Sequence, residues 1–76
     1  MTIHLNTDFV QTEVIDIYGR RLTALKHEGK FLVEMLPHVD KTLSVFKDDK
    51  LIWRDKLETT TSLPPLPRGL YTLVVS

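Results

Sequence analysis

Apolar residues recur at every second position through most of this chain, and a period of two places alternate side chains on opposite faces of an extended strand. That constraint excludes most folds other than sheets. The segments that read as strands are Ile3 to Leu5, Phe9 to Tyr18, Arg21 to His27, Phe31 to Met35, Thr42 to Phe46, Leu51 to Leu57 and Leu70 to Val75. Turn residues separate them: Tyr18-Gly19-Arg20, Glu28-Gly29, Pro37-His38-Val39-Asp40, Asp48-Asp49 and the run Leu63-Pro64-Pro65-Leu66-Pro67. Leu22 to Leu36 also groups its apolar residues on a helical face, but Gly29 at its centre costs a helix about 1 kcal/mol relative to alanine. Short strands with turns every 8 to 12 residues indicate an all-β fold of about six to seven short strands, a sandwich or a small barrel.

A chain of 76 residues supports one domain, so residues 1–76 are expected to share a single core. Ten basic and ten acidic residues leave no net charge, which disfavours nonspecific grip on a phosphate backbone. The absence of cysteine removes disulfides, thiolate nucleophiles and sulfur metal sites. No apolar run approaches the roughly 18 residues of a membrane helix, and Met1 to Asp8 has neither a basic start nor an apolar signal core.

Two echoes run along the chain. Val14 to Leu22 and Leu43 to Ile52 both lead apolar alternation through a polar turn and back. Leu36-Pro37, Thr42-Leu43 and Val45 recur thirty positions later as Leu66-Pro67, Thr72-Leu73 and Val75, as a strand-turn-strand unit used twice would do.

Leu43-Ser44-Val45-Phe46-Lys47-Asp48-Asp49-Lys50-Leu51-Ile52-Trp53, followed by Leu66-Pro67-Arg68-Gly69-Leu70-Tyr71-Thr72-Leu73-Val74, resembles the C-terminal sorting domains of the Bacteroidetes type nine secretion system and related small secreted Ig-like domains. Asp49 stands where that pattern has glycine. The resemblance, over residues 42–75, implies a small, compact antiparallel Ig-like β-sandwich in a secreted or cell-envelope setting, used for attachment, targeting or protein contact.

Pro64, Pro65 and Pro67 fix φ and withhold backbone donors, so this stretch is expected to cross the sheets extended before Gly69 permits a turn. Tyr71, Leu73 and Val75 then share a face, with the Tyr71 hydroxyl reaching a backbone partner at the rim. Pro64 to Arg68 also holds a PxxP pattern, but such ligands lie in free tails and here a strand follows at once.

No constellation supports catalysis. His4, His27 and His38 share no metal-ligand spacing, and Ser44, Ser62 and Ser76 lack elbow glycines. Asp48 and Asp49 are adjacent at a hairpin tip, where both stay wet, whereas acid and base need unlike surroundings. The three glycines form no phosphate loop. The chain is therefore expected not to be an enzyme, and to carry no cofactor and no metal.

Regular alternation puts Leu51, Trp53 and Leu57 on one face with Asp55, making Trp53 the largest core contributor, and puts Phe46 outside with Ile52 and Arg54 as the expected partner contact. Pro67, Gly69, Tyr71 and Trp53 are the expected structural residues. Two functions from different classes remain. One is a noncatalytic protein-interaction, attachment or targeting module, whose open edges also admit a homodimer by edge-strand pairing. The other is a small barrel binding single-stranded nucleic acid or oligosaccharide through Tyr18, Phe46 and Trp53 beside Arg20, Arg21, Arg54 and Arg68.

Overall fold

A computed structural model describes residues 1–76. The chain is all β, with eight strands: β1 (Thr2–Asn6), β2 (Gln11–Ile15), β3 (Arg21–His27), β4 (Lys30–Leu36), β5 (Lys41–Lys47), β6 (Lys50–Leu57), β7 (Thr60–Ser62) and β8 (Leu70–Val75). They form two antiparallel four-stranded sheets, ordered β1-β8-β5-β6 and β2-β3-β4-β7. No helix is long and apolar enough to cross a membrane.

The alternation does what it dictates. Ile3 and Leu5, Leu43 and Val45, and Tyr71, Leu73 and Val75 turn inward from the first sheet. Leu22 and Ala24, with Phe31, Val33 and Met35, turn inward from the second. With Leu57 and Leu63 they make one cluster of 14 buried apolar residues between the sheets. Each fully buried leucine or valine there contributes about 1.5 to 3 kcal/mol relative to exposure.

The hairpin turns are set by backbone chemistry. His27 pairs with Lys30 across Glu28 (φ 53°) and Gly29 (φ 78°), and Lys47 pairs with Lys50 across Asp48 (φ 51°) and Asp49 (φ 64°). Two successive positive φ angles define the two-residue turn whose twist matches the flanking strands. Asp49 thus adopts the conformation for which glycine is the cheaper residue.

The thirty-position echo becomes a local two-fold relation. Leu32 pairs with Ser62 in one sheet, and Ser44 pairs with Val74 in the other, each with its counterpart thirty positions on. Around these pairs, Leu43↔Val75 interchanges with Val45↔Leu73, and Val33↔Thr61 interchanges with the Phe31–Leu63 contact, where Leu63 N–H donates to the Phe31 carbonyl at 2.9 Å. The units β4–β5 and β7–β8 each cross from one sheet to the other and interlock about that axis.

The proline approach is fastened to the sandwich. Leu66 packs against the core, and Tyr71, 5% exposed, donates its hydroxyl to the Pro67 carbonyl at 2.5 Å, as its position at the rim requires. This seated stretch differs from a free PxxP ligand. The chain bends at Arg68 and Gly69 as expected, and the Gly69 backbone, almost extended in φ (159°), also lengthens the β1–β8 ladder. Its N–H donates to Thr7 Oγ1 at 2.8 Å, and its carbonyl accepts from Thr7 N–H at 3.1 Å.

Three expectations are corrected. Phe9 to Tyr18 is a strand only from Gln11 to Ile15, because a turn closes on Asn6 at one end and Asp16 closes another at the other. The polar run Thr59 to Ser62 supplies an eighth strand, β7, where Thr61 turns inward and its Oγ1 accepts from Glu58 N–H at 2.8 Å. Trp53 does not dominate the core. It sits opposite Val45 on an edge strand, half-buried against the cluster, with no neighbour on its outer side.

Candidate interaction edge

A bulge between Val45 and Phe46 changes the parity of β6. Val45 pairs with Trp53 while Phe46 pairs with Leu51, so Ile52 is the extra residue. Leu51 therefore leaves the Trp53 face and lies with Ile52 opposite Phe46, both just under half exposed. Arg54, opposite Ser44, is on the same outer face. Phe46, Ile52 and Arg54 are thus brought together, but Phe46 is half-buried rather than open.

Larger exposed apolar residues lie elsewhere. Ile17 is 92% and Tyr18 77% exposed, and Phe9, Val10 and Ile15 are each more than half exposed. All five belong to β2 or its immediate flanks, at the open edge of the second sheet. Leu25, opposite Gln11, and Leu36, opposite Arg21, continue the exposed apolar surface onto the neighbouring strands. Regular alternation read this stretch as a strand but carried no sign of whether it would be covered.

The tip that presents Ile17 and Tyr18 is built by one side chain. Asp16 Oδ1 accepts from the N–H groups of Tyr18 and Arg20, both at 2.9 Å, and Oδ2 accepts from Arg20 Nε at 2.6 Å. Partial burial pushes the Asp16 carboxyl up, but the two backbone donors and the Arg20 guanidinium outweigh it and hold it below the ordinary carboxylate range. Gly19 (φ 78°) closes the turn by donating to the Asp16 carbonyl at 3.0 Å, and the Arg20 guanidinium lies 5.3 Å from the Tyr18 ring centre. The turn that carries Ile17 and Tyr18 is thus braced by Asp16 while both side chains face water.

The opposite end of the sandwich carries a basic cleft of about 280 Å³, with Lys26, Lys30 and Arg68 on its walls. Its charges are largely committed. Arg68 pairs with Asp8, Nε to Oδ1 at 2.9 Å, and Lys26 Nζ donates to the Thr7 carbonyl and lies over the Phe31 ring. Lys30 alone remains to meet an anion, too little for a phosphate cradle.

The histidines stay apart. His27 lies 4.0 Å from Glu28 and His38 3.9 Å from Asp40, while His4 is on the outer face of β1, and no three ligating side chains converge. Tyr18, Phe46 and Trp53 do not form one stacking platform: Tyr18 is at the β2–β3 tip, Phe46 faces out of the other sheet, and Trp53 faces in. Arg20 and Arg68 are already paired with carboxylates.

Fold and site together define an open-edged β-sandwich in which five of the six large apolar side chains more than half exposed lie on β2 or its flanks, the sixth being Leu70 of β8. Comparison with protein-family models, curated proteins and solved structures found no match.

Proposed function

We propose that this chain is a noncatalytic protein-interaction module whose contacting side is the β2 edge. The observation that carries the reading is the concentration of exposed apolar side chains on β2 and its flanks, at a tip where Asp16 binds the Tyr18 and Arg20 amides and the Arg20 guanidinium. Exposed apolar residues grouped on one surface mark contact sites, whereas scattered ones do not. Ordering the tip in advance lowers the entropy cost of binding. A secreted or cell-envelope setting, with attachment or targeting as the purpose of contact, belongs to the same reading and is supported by the resemblance over residues 42–75. The stacking barrel is disfavoured by the separation of its three aromatics.

The test is crosslinked affinity capture from envelope and cytosolic extracts, with the wild-type chain beside Ile17→Ser and Phe46→Ser variants. A protein partner lost with Ile17→Ser and kept with Phe46→Ser is the expected result. Loss with Phe46→Ser alone moves the contact to the bulged face of the other sheet, and recovery of nucleic acid restores the stacking reading.

A further inference from the structure

The β2 edge offers more than apolar side chains, because its hydrogen-bonding direction follows from the ladder. Lys26 N–H donates to the Val10 carbonyl at 2.8 Å, and Asp16 N–H donates to the Arg20 carbonyl at 2.9 Å. Between those points the register with β3 runs unbroken from Gln11↔Leu25 to Ile15↔Arg21. In an antiparallel pair the residues that bond across the ladder alternate with those whose backbone groups point away from it. Thr12 and Val14 therefore bond to β3, while the N–H and C=O groups of Gln11, Glu13 and Ile15 point out of the sheet, where no further strand follows.

The other edges are less accommodating. β6 is bulged and carries Lys50, Arg54 and Lys56. β7 has three residues and is followed closely by Pro64. β1, five residues long like β2, is wholly polar on its exposed side, with Thr2 and His4. Bulges, brevity and charge are the ordinary means of blunting an edge. Only β2 combines an unbroken register with exposed apolar residues at both ends.

We infer that β2 accepts an extended segment of a different protein as an added antiparallel strand, with a lysine or arginine of that segment opposite Glu13. Charge selects this occupant. Glu13 is the central edge-facing residue, its row across the outer face continues through Thr23 to Glu34, and no cation of the chain pairs with either carboxylate. A cation opposite Glu13 completes a cross-strand pair, whereas a second copy paired over the full length of β2 opposes Glu13 to Glu13. The segment also needs apolar residues opposite Ile15 and opposite Gln11, beside the exposed Leu25, so its pattern is apolar, any, basic, any, apolar. This inference rests on the β2 edge being the contacting side.

The experiment uses the full chain, labelled with ¹⁵N, and two capped peptides, Val-Thr-Lys-Thr-Val and Val-Thr-Glu-Thr-Val. The lysine peptide is expected to shift the amides of Gln11, Glu13 and Ile15 and slow their hydrogen exchange, leaving Thr12 and Val14 nearly unchanged. It is expected to bind about fivefold more tightly than the glutamate peptide at low salt, and Glu13→Lys reverses that order. Unchanged exchange of the β3–β4 amides checks that the variant is folded. Shifts confined to Ile17 and Tyr18 overturn strand addition but leave the interaction module standing. Protection of the edge amides that grows with protein concentration and no peptide makes a second copy the occupant and overturns the inference. No shift with either peptide overturns it as well.

Discussion

Two edge strands of this sandwich, β2 and β6, have nearly opposite characters. β6 spans eight residues, seven of them paired, is broken by a bulge, carries four charged side chains between Lys50 and Lys56, and ends in Leu57, which is fully buried. β2 pairs along five, has no bulge, and buries no residue fully, while apolar side chains stand in water at both ends. The first edge is fastened to the core and protected from pairing; the second is held mainly by its ladder and its tip. The edge fastened to the core is thus not the edge that the proposed contact uses.

The largest test of that division is truncation of the inward residue at each edge. Leu57→Ala is expected to cost about 2 to 5 kcal/mol in urea unfolding, and Val14→Ala, only half-buried, appreciably less. Equal losses would erase the contrast. A second test loosens the β2 tip through Asp16. Its carboxyl is held below the ordinary range when folded, so the stability it contributes is present above about pH 4, where the unfolded group is ionised. That contribution falls away as the pH drops through the lowered folded value. The Tyr18 and Arg20 amides are expected to shift together in an NMR acid titration, and Asp16→Ala to release both at neutral pH while the β5–β6 amides stay unchanged.

Smaller effects sharpen the picture. Thr12 points inward from β2 with a buried hydroxyl that finds no partner, so Thr12→Val is expected to stabilise the chain by about 1 kcal/mol in the same unfolding assay. At the tip of the β5–β6 hairpin, Asp49→Gly relieves a positive φ and is expected to add roughly 0.5 kcal/mol, seen as a small rise in Tm. Ile17→Ser is expected to change stability by less than about 0.5 kcal/mol while removing the captured partner, separating contact from folding.

What could be read in advance depended on whether a residue's surroundings are local. Arg21 to His27 and Leu70 to Val75 form strands with the expected bounds, because alternation and flanking turn residues lie within the segment itself. The inward Tyr71 with its rim hydroxyl was legible for the same reason. β7 was not, since Thr60 to Ser62 become a strand by completing the edge of β4, a partner nearly thirty residues away. The place of Leu51 depended on a one-residue bulge, which flips the parity of everything beyond it and leaves no mark in composition. The open edge was hidden similarly: Val10, Ile15 and Ile17 look like core residues until the strand order places nothing beside them.

The ladder between the first and last strands also has a mechanical meaning. The Met1 amino group donates to the Val75 carbonyl at 3.1 Å, Val75 N–H donates to the Met1 carbonyl at 2.8 Å, and Thr2 pairs with Val74, so the first and last described residues emerge side by side. A force applied through these two ends runs across the β1–β8 ladder rather than along it. Its hydrogen bonds then meet the load one pair at a time, as in a zipper. Tension of that kind peels β1 away at low force, while a pull between the β2 tip and the β5–β6 hairpin has to drag two packed sheets past each other.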